Sequence, residues 1–323
     1  MKAKVNFAED DRIDAGTKNF LRVLNSGGAG LETMAVESAR QVLIDSQANI
    51  AVDISGIVEG EVTITQDGYH LKLNIVRPEG SSEKLPVFIF IHGGGWVLGD
   101  YPTHKRLVRD LVIESGFVGI FVNYSLSPEA QYPQAVNEVY AATKWVSANS
   151  DKINVDGSKL ALVGNSAGGN MAGVTALRAK LENGPKISLQ ILMWPVTDGA
   201  IDYSSFEEFG EDRFLTIPLM KWMFDKYAPV PSMRSEIYLS LINATTEQLK
   251  DLPPALIQVA ENDILRDEGE AYGRKLDEAG VKVTTIRYNG MIHDFGLLNP
   301  LANLPTTRSL ITHAAAELRK HLV

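Results

Sequence analysis

The chain has 323 residues, 45% of them hydrophobic and 22% charged, enough to bury a large core without covalent staples. It has no cysteine, so disulfides, thiolate metal sites and a cysteine nucleophile are excluded. Lysine and arginine number 31 against 40 aspartates and glutamates, a net charge of −9. With no basic stripe, that balance argues against nucleic acid or an anionic membrane as the main partner.

The first twenty residues carry Glu9, Asp10, Asp11 and Asp14 and no apolar run, and nowhere do ~20 apolar residues follow one another. A cytoplasmic protein without a membrane span is expected. Helical periodicity runs over residues 12–24 and 31–49. Short apolar, β-branched runs follow at 61–65 and 70–76, separated by Gln66, Asp67 and Gly68, a hairpin turn in which Asp-Gly supplies positive φ. Further runs at 86–91, 118–123, 159–163, 189–194, 255–260 and 281–288 are almost wholly apolar, as in parallel strands covered on both faces. Helical stretches at 103–114, 133–147, 167–181, 267–278 and 306–322 alternate with them. This is an α/β chain with a doubly wound, mostly parallel sheet of eight strands, the first two antiparallel at one edge.

Residues 1–50 and 197–252 break the alternation, and the second is too long for an ordinary connection. The expected division is a cap from 1–50 and 197–252 over a unit formed by 51–196 and 253–323. The stretch 217–227 reads as a helix of the cap.

The sharpest motif is Gly164-Asn-Ser-Ala-Gly168, G-x-S-x-G directly after a strand and before a helix. Such a turn strains the serine backbone, leaves no room for side chains at Gly164 and Gly168, and aims the hydroxyl at a helix N-terminus. Ser166 is therefore a candidate nucleophile. Upstream, His92-Gly-Gly-Gly-Trp96 follows the third strand, and three glycines in a row suit close backbone approach. Their N–H groups at Gly94 and Gly95, with that of Ala167 after the nucleophile, can form an oxyanion hole. His92 reads as a brace for this loop.

A base and an acid should follow Ser166 in the order acid, then histidine. Of the later histidines, His313 and His321 fall on an ordinary surface helix, whereas His293 lies between Gly290 and Gly296 after the last strand. Asp263 leaves the seventh strand and is the expected acid, with Asp198 as its rival. Asp267 reads as a helix cap and Asp294 as a rim charge.

With these motifs in place the chain resembles the hormone-sensitive-lipase family of α/β-hydrolases, in its bacterial carboxylesterase branch. The resemblance runs from about Pro86 to Phe295, through His92–Trp96, Tyr124 with Pro128-Glu129, Gly164–Asn170, Glu261-Asn-Asp263 and His293-Asp-Phe295. It implies an α/β-hydrolase fold with helices on both faces and a helical cap. It also implies nucleophile Ser166, acid Asp263, base His293 and oxyanion donors Gly94, Gly95 and Ala167, with no cofactor and no metal. The family usually has aspartate where this chain has Asn165, arginine at Ser125 and glycine at Asp294. The expected activity is hydrolysis of short-chain carboxylic esters through an acyl-enzyme. An amidase, deacetylase or small-peptide hydrolase on the same scaffold and a non-catalytic receptor remain alternatives. Trp96, Phe214, Leu215, Leu219 and Met220 are the expected acyl-pocket residues. The expected partner is a small ester, and the oligomeric state, a homodimer included, is not legible.

Overall fold

A computed structural model describes residues 6–323; residues 1–5 of the expected cap segment lie outside the described residues. The Asp14 carboxylate caps helix α1 (Ala15–Leu24) by accepting from the N–H groups of Gly16 and Thr17. The periodic stretch 31–49 is not one helix. A 3₁₀ turn at Leu31–Thr33 gives way to extended Met34 and Ala35 before α2 (Val36–Ala48) begins. Packing overrides periodicity here: Leu31 and Met34 face a cavity, while α2 buries Ala39 and Leu43.

Eight strands form one sheet among the described residues: β1 (Ile57–Gln66), β2 (Tyr69–Pro78), β3 (Leu85–Ile91), β4 (Val118–Asn123), β5 (Val155–Asn165), β6 (Leu189–Met193), β7 (Ala255–Asn262) and β8 (Val283–Ile292). Their order is β1-β2-β4-β3-β5-β6-β7-β8. β2 is antiparallel to both β1 and β4, and the remaining pairings are parallel. The β1–β2 turn places Asp67 and Gly68 at φ 53° and 83°, as the Asp-Gly pair predicts.

The apolar runs lie inside two layers of helix. Helices α3 (Tyr101–Ser115) and α10 (Pro305–Leu322) set Leu107, Leu111, Leu310 and Leu318 against Phe88, Phe90 and Val163 on one face. On the other face α4 (Gln134–Ala148), α5 (Ala167–Leu181) and α9 (Arg266–Glu278) pack Val139, Leu177 and Leu276 against Ile89, Leu162 and Ile257. Side chains of alternating strand positions thus serve separate cores.

The segment between β6 and β7 holds α6 (Ser204–Phe209), α7 (Ile217–Tyr227) and α8 (Thr246–Leu249). It meets the N-terminal segment through ions. Buried Asp10 accepts from Arg12 and Arg213, each at 2.8 Å, and Arg12 also pairs with Glu208 of α6. Burial opposes the charge on Asp10, but the two guanidinium groups outweigh it and hold its carboxyl well below the usual range. Among the described residues no helix is long and apolar enough to cross a membrane.

Candidate active site

Ser166 stands between β5 and α5 at φ 54°, ψ −121°, a conformation disfavoured for any residue but glycine. The turn is held by its N–H donating to Met193 O at 2.8 Å. Its two glycines answer to space: a Cβ on Gly164 would sit 2.2 Å from Gly168 O, and one on Gly168 would sit 1.9 Å from Ile91 O. The loop after β3 carries Gly94 and Gly95 at φ 101° and 60°. Their N–H groups donate to no acceptor among the described residues, and both glycines line one cavity with Ser166. The N–H of Ala167 opens α5, where no preceding turn offers an acceptor.

His293 follows β8 by one residue rather than lying in a long loop, because the strand continues to Ile292 through an irregularity opposite Ala260 and Asn262. Its Nε2 is 3.0 Å from Ser166 Oγ and its Nδ1 is 2.8 Å from Asp263 Oδ2. All three residues are buried. Asp263 Oδ1 accepts from the Leu265 N–H at 3.0 Å, which fixes the carboxylate plane. Burial disfavours the imidazolium of His293, but the charges of Asp263 and Asp294 outweigh it and raise its pKa.

The rival acid goes elsewhere. Asp198 accepts from Tyr203 Oη at 2.9 Å and from the Ala200 N–H at 3.0 Å, with no contact to His293. His92 is a brace, as expected. Its Nδ1 meets Gly93 O at 2.8 Å, its ring stacks on Tyr124 at 4.1 Å, and burial pushes its pKa down to about 4, so it is neutral.

Four expectations need correction. Asp294 is not a rim charge: it is buried, and its Oδ1 accepts from Trp194 Nε1 at 2.7 Å and Asn165 Nδ2 at 3.0 Å. Asp267 does not cap its own helix, whose N-cap is Leu265; it lies in the first turn and accepts from the Ser205 N–H, tying α9 to α6. Trp96 does not reach the cavity, because its ring is fully buried against Tyr227 at 4.2 Å. Met220 faces the core, whereas Met223, one turn further along α7, faces the cavity with Leu219. Phe214 and Leu215 do line the cavity.

The cavity has a volume of about 600 Å³. Phe20, Leu31, Met34 and Leu43 also line it, and no motif marked them. Asn165 was visible only as a departure from the family pattern. It accepts from the Gly93 N–H at 2.9 Å and donates to Asp294, so it joins the glycine loop to the segment after β8. At Ser125, the N–H and hydroxyl both donate to Glu138, while Arg40 of α2 reaches Glu129, Ser127 O and Val97 O from the other side.

A family profile described as alpha/beta hydrolase fold matches residues 88–297. An ethyl acetate hydrolase of Pseudomonas putida is 31% identical over 85% of this chain and 89% of its own. A carboxylesterase of Mycobacterium tuberculosis is 33% identical over 77% of this chain and 80% of its own. The crystal structure of a thermostable esterase from Pseudomonas putida is similar with a TM-score of 0.96 and 50% identity, covering 97% of this chain and 99% of that one.

Proposed function

The chain belongs to the hormone-sensitive-lipase family of the α/β-hydrolases and is a carboxylic ester hydrolase, and we propose that Ser166, His293 and Asp263 carry the reaction on short-chain acyl esters. One observation supports the assignment above all others: a single buried imidazole reaches Ser166 Oγ at 3.0 Å with one nitrogen and Asp263 at 2.8 Å with the other.

In this reading His293 Nε2 accepts the Ser166 proton as Oγ attacks the ester carbonyl. Asp263 holds Nδ1–H and stabilises the imidazolium. The N–H groups of Gly94, Gly95 and Ala167 receive the negative charge on the carbonyl oxygen, in a buried site where fixed dipoles act strongly. His293 then protonates the departing alcohol, and water hydrolyses the acyl-enzyme.

Residues 1–50 and 197–252 act as the cap in this account, over a catalytic unit of 51–196 and 253–323. The support is that Phe20, Leu43, Leu219 and Met223 of these two segments wall the cavity. Met223 lies directly over Gly95, where a Cβ would fall 2.0 Å from its sulfur, and so limits the space beside the oxyanion site. The ethyl acetate hydrolase is named for an acetyl ester, in line with a short acyl chain.

Hydrolysis of p-nitrophenyl esters from acetyl to dodecanoyl tests the proposal. kcat/KM should rise to butyryl or hexanoyl and fall beyond, with each CH₂ that fits adding up to ~0.8 kcal/mol. An optimum at dodecanoyl would refute the short-chain assignment, and full turnover by Ser166→Ala would refute the nucleophile.

A further inference from the structure

His293 has a carboxylate on each side. Asp263 holds Nδ1, while Asp294 brings Oδ2 to 3.9 Å from Nε2, the nitrogen that faces Ser166. Acylation as described above makes no use of Asp294. Yet this residue is buried and sits at φ 60°, in the left-handed region that most residues other than glycine, asparagine and aspartate avoid. Its Oδ1 is fully engaged by Trp194 and Asn165, both fully buried themselves. Those two bonds orient the carboxylate. They leave Oδ2, which accepts from no donor among the described residues, beside Nε2 in the cavity that Ser166, His293 and Asp294 line together.

We propose that Asp294 is a positioning residue for the hydrolytic water, its Oδ2 accepting one hydrogen of that water while His293 Nε2 accepts the other. The distance suits this. A water making hydrogen bonds of about 2.8 Å to two acceptors 3.9 Å apart subtends about 90° between them, near the angle between its own O–H bonds. Ser166 Oγ, which carries the acyl group, lies 3.0 Å from the same nitrogen, so the water oxygen rests against the acyl carbon. His293 Nε2 takes one proton, the water oxygen bonds to the acyl carbon, and the bond from that carbon to Oγ breaks. The proton on Nε2 then passes to Ser166 Oγ, and the second hydrogen leaves on the product acid.

An alcohol cannot satisfy both acceptors. Its single O–H hydrogen goes to Nε2, and its carbon substituent meets Oδ2 instead. Asp294 therefore favours water over an alcohol as acyl acceptor and sets hydrolysis above ester exchange. This inference rests on the acyl-enzyme assignment of the preceding section.

The test is the ratio of methyl ester to free acid formed from p-nitrophenyl butyrate at a fixed methanol concentration. That ratio is decided after the acyl-enzyme forms, so a change in folded fraction or in acylation rate leaves it alone. Asp294→Asn keeps an acceptor for Trp194 and Asn165, tolerates the left-handed backbone, and puts an N–H donor where Oδ2 was. It should raise the ratio about tenfold, the worth of one charge-assisted hydrogen bond. Asp294→Gly, which suits φ 60°, should raise it too and serves if the asparagine variant does not fold. An unchanged or lowered ratio in the variants overturns the role of Asp294 alone. If neither the parent nor any variant forms methyl ester, the acyl-enzyme reading falls and this inference with it.

Discussion

Asp263 and His293 each stand one residue beyond a paired position, Asn262 on β7 and Ile292 on β8, so strand register alone brings them side by side. The 2.8 Å contact between them follows from where two adjacent parallel strands end. Loss of a triad aspartate in a serine protease lowers kcat about 10⁴-fold. Asp263→Asn should therefore approach His293→Ala in kcat, while Asp198→Asn, bonded to Tyr203 instead, should stay within about tenfold of the parent. Steady-state kinetics of the three variants checks this, and the opposite ranking would move the acid to β6.

The pH profile carries the sign of the His293 shift. Its pKa is raised, so the protonated form persists to higher pH than in a free imidazole. The base must be neutral to accept the serine proton. Activity in kcat/KM is therefore lost as pH falls through a value above the ordinary ~6.5. Asp294 supplies part of the upward shift, so Asp294→Asn should move this limb to lower pH. A limb that stays fixed or moves upward in the variant would contradict the electrostatics.

Helix α7 separates specificity from stability at neighbouring positions. Leu219 lines the cavity and Met220 packs into the core. Leu219→Ala should shift the acyl optimum to longer chains with a modest change in Tm. Met220→Ala should cost about 2–5 kcal/mol in urea unfolding and leave the optimum in place. A chain-length shift in Met220→Ala instead would reverse the facing of the helix.

The Asp10 cluster is expected to fasten the N-terminal segment to the insertion. Asp10→Ala removes the carboxylate shared by Arg12 and Arg213 and should cost about 3–5 kcal/mol near neutral pH. Because the carboxyl pKa is depressed on folding, this contribution is present above the unfolded value of ~3.9 and shrinks as pH falls below it. The stability gap between parent and variant in urea melts should be smaller at pH 3 than at pH 7. A gap that is the same at both pH values would show that packing, rather than charge, holds the contact.

The sheet was legible because its inner strands are nearly continuous apolar runs and its turns carry Asp67-Gly68 or glycine clusters. Ser166, Asp263 and His293 were legible for a related reason: each sits where a strand ends, and chain order left few rivals. What escaped depended on phase and distance. Whether Met220 or Met223 faces the cavity is set by the rotation of α7, which periodicity gives only to within a side chain or so. Trp96 looked accessible beside its glycines, but positive φ turns it onto Tyr227. Asp294 looked like a surface charge because Asn165 and Trp194, which bury and orient it, lie 129 and 100 residues away along the chain. The α1 and α2 wall carries no motif, since apolar residues facing a cavity and apolar residues facing a core are chemically alike.

Covalent labelling tests the nucleophile most directly. An organophosphate that phosphorylates activated serines should add one equivalent to the intact protein, abolish p-nitrophenyl butyrate hydrolysis in proportion, and map by peptide mass spectrometry to Ser166. Ser166→Ala should take up no label and leave only background hydrolysis. Stoichiometric inactivation with the label on another residue, or an active Ser166→Ala, would contradict the account.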